Sequence, residues 1–543
     1  MSHRVFRMLA AAGVLLVSWV AVSQPGSSAA EPLVLWNTYL GGPGEFDEIQ
    51  AIQQNAEGDI FVVGTVGAAP ASPSPNSPNR FGALGGDSDV LIARFHADGG
   101  LVWYTRLGGT DVDLGEGLVL GEQGELYVTG TTQSQSIQWT LPDGGPGNST
   151  AFSLSSADGF VARLDSSGTQ LDWLFRIGGA DRDMVHTMIP GPDGHLFIGG
   201  MTRSSNILGP NPVLIEGEEG FVTRIDPRTA RVDWTVLLSA PGNQGVMGLA
   251  YKADGTLFAT GYTQASGTST SDALIARIPG ANTSPGTPVI RSYGGSGHET
   301  GIALSLPPGT AEGQVVLWGT TFSRTFPGVG EIKGDSDIFA VAYDESAGGL
   351  SPGRAALFGG SGQDQILSLA TDSSQRIYLG GYTTSSDLPV DGGFDTTLVD
   401  NTLGDGFVAR VRLTPEPAVE WGSFVGGSGE DDVFALWVDP RSPERLYLGG
   451  GTTSKDIAYS DAGYDTSPNG ALWNMYLLGV DLEATPPGPP VTPPGPPVTP
   501  PGSPVSPLGW SCGASGASGG LGPLALGSLV GLALLASRRR PRA

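Results

Sequence analysis

The pair Gly41-Gly42 returns as Gly108-Gly109, Gly178-Gly179, Gly294-Gly295, Gly359-Gly360 and Gly426-Gly427, and Ser239-Ala240 stands where a seventh copy falls between the third and the fourth. A period of roughly 55 to 70 residues is longer than a solenoid repeat and suits a propeller blade that carries insertions. Each cycle holds four strand-like runs. After Gly108-Gly109 these are DLGEGLVL from Asp113, ELYVTGTT from Glu125, DGFVARLD from Asp158 and LDWLFRIGG from Leu171 to Gly179. Apolar and polar residues alternate along them, as in half-buried strands. Turn sequences such as Pro192-Asp193-Gly194 and Ala253-Asp254-Gly255 separate the first run from the second. The 85 Gly and 42 Pro rule out a mainly helical chain, while 39% apolar residues suffice for a core.

The third run is the most regular: it opens with Asp89, Asp158, Glu219, Asp272, Asp337 or Asp405. The fourth carries Trp36, Trp103, Trp173, Trp234 or Trp421, one indole per blade, expected to pack between neighbouring sheets. The two ends of the region complement each other. LVLWNTYLGG (Leu33 to Gly42) is a fourth-type strand without a blade, and NMYLLGVD (Asn474 to Asp481) is a third-type strand with no fourth strand after it. Together they complete blade seven, so the expected fold is all-β: a seven-bladed β-propeller over residues 31–483, closed by its N-terminal strand.

The units resemble SBBP repeats of bacterial β-propellers, whose pattern joins Y-h-x-G-x-T to D-x-F-h-x-[KR]. Here it reads RIYLGGYTTSSDLP (Arg376 to Pro389) followed by GDGFVARV (Gly404 to Val411). The resemblance runs from Leu33 to about Asp481. The degenerate cycle loses its Gly-Gly, and the next lacks both the Trp and the Arg, with Ala342 in the latter's place. The resemblance implies an extracellular place and no settled activity.

The flanks speak of address. Residues 1–30 read as a signal peptide: Arg4 and Arg7, an apolar stretch from Met8 to Val22, and cleavage after Ala30. An uncleaved anchor is the alternative. Residues 484–507 repeat TPPGPPV, an extended spacer on the order of 70 Å long at about 3.1 Å per residue. Residues 508–543 hold Cys512, an apolar run from Leu521 to Ala536, and Arg538-Arg539-Arg540, expected as a C-terminal hydrophobic helix with its basic end in the cytoplasm. Cysteine, weak hydrophobic helix and arginine cluster resemble a MYXO-CTERM sorting signal. That resemblance implies cutting by a sorting protease near Cys512, modification of that residue, and anchoring at the cell surface or outer membrane. A plain transmembrane tail is the alternative.

Chemistry is sparse. The net charge is −26, and six arginines (Arg4, Arg7, Arg538, Arg539, Arg540, Arg542) sit in the end segments, so the repeat region is more acidic still. Such a surface repels nucleic acid and anionic lipid. Cys512 is the sole cysteine, so no disulfide staples the ring. His96, His186, His195 and His298 show no metal-ligand spacing, and no nucleophile motif or phosphate-cradling loop is present. Asp98-Gly99-Gly100-Leu101-Val102-Trp103 is similar to the Asp-box turn of sialidases, a structural turn.

One constellation is acidic. Asp47, Asp113, Asp183, Glu299, Asp364 and Asp431 open the first strand of successive blades, with Gln244 in the degenerate cycle. Because that strand is innermost, they could ring one channel mouth and hold Ca²⁺. Alternatively each accepts hydrogen bonds from turn N–H groups within its own blade.

The long, dissimilar connections between second and third strands, Val66 to Asp87, Gln133 to Ala157 and Thr384 to Asp405, leave on one face. They point to a non-enzymatic surface interaction module for a protein, a polysaccharide or the matrix. An exported polysaccharide lyase or hydrolase, and a structural envelope component, are the alternatives.

Overall fold

The computed structural model describes residues 32–483 except 42–45, 68–85, 138–149, 152–155, 169, 208–214, 216, 307–313, 347–348, 400–401, 415, 458, 461 and 469–472. The signal peptide with Ala30, the Pro-rich segment and the C-terminal segment with Cys512 lie outside the described residues. Among the described residues no helix is long and apolar enough to cross a membrane.

Strands gather into seven four-stranded antiparallel sheets, with two short hairpins in the long connections. Blade 1 runs Asp47–Gln54, Ile60–Gly67, Ser88–Phe95 and Leu101–Leu107; blades 2 to 6 repeat this up-and-down order from Asp113, Asp183, Asn243, Glu299 and Asp364. Blade 7 takes Ala435–Val438, Arg445–Thr452 and Asn474–Asp481 from the C-terminal side and Leu33–Leu40 from the N-terminal side. Leu33 faces Asp481 and Leu40 faces Met475. The chain is a closed seven-bladed propeller whose last blade is the expected clasp. The free edge of the clasp strand is covered as well: the Asn37 and Tyr39 N–H groups donate to Ala462 and Asp465 carbonyls at 3.0 and 2.7 Å. No bare ladder is left there for another chain to join.

Cross-strand register explains the repeat motif. The aromatic second residue of the second strand lies opposite the arginine of the third: Phe61 faces Arg94, Tyr127 faces Arg163, Phe197 faces Arg224, Phe258 faces Arg277 and Tyr378 faces Arg410. The guanidinium of Arg94 sits 5.4 Å from the Phe61 ring centre and that of Arg163 6.0 Å from Tyr127, within cation–π range. In blade 5 the equivalent pair is Val316 and Ala342, so ring and cation are lost together.

The indoles do join neighbours. Trp36 of blade 7 donates to the Ala97 carbonyl in blade 1 at 2.9 Å, and Trp173 of blade 2 to the Pro227 carbonyl in blade 3 at 3.1 Å. Gly99, at φ +83°, lets the Trp36 ring lie against the Asp98-Gly99 turn, so that turn is a packing surface.

First strands of adjacent blades meet all round the ring, which makes them the channel wall. Each carries one surplus residue relative to its partner strand, a β-bulge after the third position: Gln50, Glu116, His186, Met247, Ile302 and Leu367 have no cross-strand mate. Blade 7 has the same surplus, since Asp431 bridges Thr452 while Ala435 faces Gly449, with Phe434 the extra residue.

Candidate functional site

The six inner-strand carboxyls are fully buried. They turn into the junction with the preceding blade instead of lining an open channel mouth. Asp364 shows the pattern: its Oδ1 accepts from the Thr383 hydroxyl at 2.6 Å, and its Oδ2 accepts from the Ser385 hydroxyl and the Gly360 N–H, both at 2.7 Å. Asp183 takes the same three donors from Thr202, Ser204 and Gly179, and Asp431 from Thr452, Ser454 and Gly427. Glu299 accepts from Thr321 and Gly295, and Asp113 from Ser134 and Gly109. Asp47 accepts from the Gly67 N–H at 2.9 Å. In blades 2, 3, 5, 6 and 7 the second Gly of the Gly-Gly thus supplies a donor from the chain leaving the preceding blade, and the Thr-x-Ser at the end of the second strand supplies one or both hydroxyls from the next. Such a bond holds two blades at once. Turn N–H groups of a single blade are only part of it.

Five of the six also have a carboxyl neighbour. Asp89 with Asp113, Asp158 with Asp183, Asp272 with Glu299, Asp337 with Asp364 and Asp405 with Asp431 close over the first Gly of the intervening pair, where any Cβ would strike both. At the remaining two junctions the equivalent positions hold an acid and an amide, Asp47 and Asn474 at one and Glu219 and Gln244 at the other. Burial raises Asp113 to about 7, and Asp89, Asp337 and Asp431 to about 6, despite the hydrogen bonds and the arginine that pull the other way. The Oδ1 atoms of Asp89, Asp113, Asp158 and Asp337 are buried without a hydrogen-bond partner. Among the described residues, no three His, Cys, Asp or Glu side chains group so as to hold a metal ion.

A second set of polar groups was not anticipated from the sequence. It lies along the channel wall, at the second position of the inner strand and at the bulge. Gln365, Asp432 and Glu48 occupy the second position in blades 6, 7 and 1, and Gln50, Glu116 and His186 the bulge in blades 1, 2 and 3. Gln50 donates to Glu48 Oε1 at 2.7 Å. Burial lifts the Glu48 carboxyl to about 7; burial and the Glu48 charge push Glu116 well above the usual range, and burial with Glu430 and Glu48 does the same to Asp432. Burial and the Arg182 charge hold His186 down at about 4, so it is neutral. Glu116 Oε1, His186 Nδ1 and Gln365 Nε2 are buried atoms with no hydrogen-bond partner. The bulges of blades 4 to 7 carry Met247, Ile302, Leu367 and Phe434 instead, and no inner strand contains Lys or Arg. One arc of the wall is polar and uncharged at the histidine; the other is apolar.

The other three histidines sit apart from one another. His96 Nδ1 lies 2.9 Å from Asp59 Oδ1, His195 Nε2 3.5 Å from Asp233, and His298 Nδ1 3.5 Å from Ser271 Oγ. The start of the inner strand, the end of the second and the start of the third share one face, so the second-to-third-strand connections leave from the face that carries Glu48 and Asp432. Of these connections, Thr384 to Asp405 is the best described, and it exposes Val399 and Leu403.

A family model for the SBBP β-propeller repeat matches residues 355–389, from the outer strand of blade 5 through the Asp364 network to the end of the blade 6 Thr-x-Ser motif. The regulatory protein FlaEY of Caulobacter vibrioides is 25% identical over 407 residues, 74% of this chain. The chain spans 37% of the length of that relative. Among solved structures, the Dos1 propeller aligns over 84% of this chain and 96% of its own, at 10% identity and a TM-score of 0.39. A virginiamycin B lyase from Staphylococcus aureus aligns over 82% and 99%, at 10% identity and a TM-score of 0.36. Likenesses at that level carry no functional argument.

Proposed function

We propose that the propeller is a ligand-binding module displayed outside the cell, exported by residues 1–30 and held at the surface through the sorting segment around Cys512. It engages a protein, a polysaccharide or the matrix through the face that carries the second-to-third-strand connections. The observation that supports this most is the division of labour among positions. Residues repeated from blade to blade are consumed by the fold, in the Thr-x-Ser clasp, the Gly-Gly pair and the aromatic–arginine stack. Residues that differ between blades collect around one mouth and along the channel below it.

A polysaccharide-acting enzyme is the second reading, favoured by Glu48 and Glu116, two carboxyls on one wall whose ionisation is suppressed, as a general acid requires. A glycan and matrix-protein array, with every retained ligand then assayed for turnover, separates the readings. Binding without turnover supports the module. Turnover transfers the role to the channel acids, and no retained ligand of either kind leaves a structural envelope part.

A further inference from the structure

We propose that the channel is a carbohydrate-binding site, in which Gln50, Glu116 and His186 on one arc hydrogen-bond the hydroxyls of an uncharged saccharide and Met247, Ile302 and Leu367 on the other cover its C–H face. The proposal rests on the binding-module reading and gives that module a ligand class.

Three observations carry it. First, the bulge recurs in every blade and sets its extra residue outside the ladder. The side chain there has no cross-strand mate, and all seven copies differ at it. Second, the differences are ordered. Polar residues occupy three consecutive blades and apolar residues the remaining four, giving the channel two unlike sides. Third, the polar side holds hydrogen-bonding atoms that the fold does not use: Glu116 Oε1 and His186 Nδ1 are buried and unbonded, and Gln365 Nε2, beside Leu367 in blade 6, adds an unpartnered donor at the edge of the apolar side. A polar atom left so destabilises the fold unless a partner is supplied.

The chemistry of the wall selects the partner. Anions find no Lys or Arg on any inner strand to pair with. A small cation would need carboxylates converging on a point, and among the described residues no three converge. What the arc offers is donors and acceptors spread along a wall: protonated or amide groups beside a neutral imidazole. A sugar ring matches that layout, with equatorial hydroxyls at its edge and an apolar C–H face opposite Met247 and Leu367. Affinity in such a site comes from satisfying buried polar atoms while excluding water over the apolar side.

The test is binding of the full exported protein to neutral, uronic and sulfated oligosaccharides and to lysine-rich peptides, by calorimetry. Neutral oligosaccharides are expected to bind. Glu116→Ala and His186→Ala should each weaken that binding about tenfold, the loss of one or two hydrogen bonds. Glu116→Gln should stay within a few fold of wild type, because the amide has the shape of the protonated acid, and it guards against an alanine variant that fails to fold. Val399→Ser with Leu403→Ser, on the outer face of the Thr384 to Asp405 connection, is expected to weaken saccharide binding less than either alanine variant. Neutral-saccharide binding that survives both alanine variants but falls with the outer-face pair removes the channel site and keeps the module reading. Binding confined to acidic glycans or basic peptides, or no oligosaccharide bound at all, overturns the proposal, and the matrix-protein half of the array then decides the module reading by itself.

Discussion

A glycine at the fifth or sixth residue of the second strand recurs in all seven blades because of something on the neighbouring strand. Gly64, Gly130, Gly200, Gly261, Gly319, Gly381 and Gly450 each face a backbone carbonyl of the inner strand, from Glu48, Leu114, Met184, Gly245, Thr300, Gln365 and Asp432, which the bulge turns toward them. A Cβ at any of these positions would lie inside the radius of that oxygen. The motif glycine and the bulge are therefore one feature seen on two strands. Replacing Gly381 with Ala should destabilise by roughly 1–3 kcal/mol, as overpacking does, read as a lower denaturant midpoint. Gly220 is buried too, but its Cβ would make only ordinary contacts, from 3.4 Å outward, so Gly220→Ala should shift the midpoint little. Equal losses for the two would remove the bulge from the explanation. At this scale the sequence was half legible. The repeated Thr, Ser, Gly and Asp residues could be seen, but not that a Thr-x-Ser clasps an aspartate from the strand before it, since that contact joins residues about 20 apart. Glu48, Glu116, Asp432 and the bulge role of His186 were invisible for the opposite reason. They occupy positions where the copies disagree, and a search for repetition passes over them.

At the scale of the strand, legibility was nearly complete, because four runs per cycle with a mismatched pair of ends admit one closure. The N-terminal strand, 418 residues from its partner loop at the Tyr39–Ile457 hydrogen bond, makes the last blade whole. It buries Val34, Trp36, Tyr39 and Leu40 against blade 7 and hands the Trp36 indole on to blade 1. Deleting residues 32–41 should therefore do two things. It should expose the edge of Asn474–Asp481, inviting association, and it should open the seam between blades 7 and 1. A lower melting temperature together with concentration-dependent light scattering is the expected outcome; a truncated chain that melts like the intact one and stays monomeric would show that the ring does not depend on its clasp. Blade 5 departs from the sequence picture only in detail. Having lost Trp, Arg and the facing aromatic together, it compensates with third and outer strands of 10 residues each and an indole, Trp318, on the second strand that donates to Ser305 at 2.9 Å.

Five of the ring's seven junctions carry an acid–acid contact and the other two have an acid and an amide at the equivalent positions, and that repetition sets how its stability depends on pH. Two buried carboxylates a few ångströms apart cannot both stay charged, and a proton shared between them resolves the conflict. The chain supplies its own comparison: Asn474 and Gln244 are neutral stand-ins for a protonated partner at two junctions. Asp89, Asp337 and Asp431 at about 6 and Asp113 and Glu48 at about 7 all lie above the range near 4 that such groups have in an unfolded chain. Between about pH 4 and 7 the folded ring holds more protons than the unfolded chain, so this contribution is full below about 4 and is lost as pH rises through 6 to 7. Two effects oppose it on the acid side. His186, held down at about 4, favours folding above the usual histidine range and loses that contribution as pH falls toward 4. The lowered Asp59, Asp254 and Asp439 lose theirs only on stronger acidification. Several raised carboxyls against one histidine put the optimum near pH 5, and the melting temperature should drop by several degrees between pH 5 and pH 8. Changing Asp89, Asp158 and Asp337 together to Asn, in imitation of Asn474, should flatten that slope and leave the protein at least as stable as wild type at pH 8. Arg106 and Arg176, which face Asp89 and Asp158, set the limit of the gain, since an amide gives up their charge partner. A wild-type melting temperature that climbs from pH 5 to pH 8, or a triple variant that loses stability equally at both, would mean the junction carboxyls are ionised in the folded ring and something other than a shared proton holds them together.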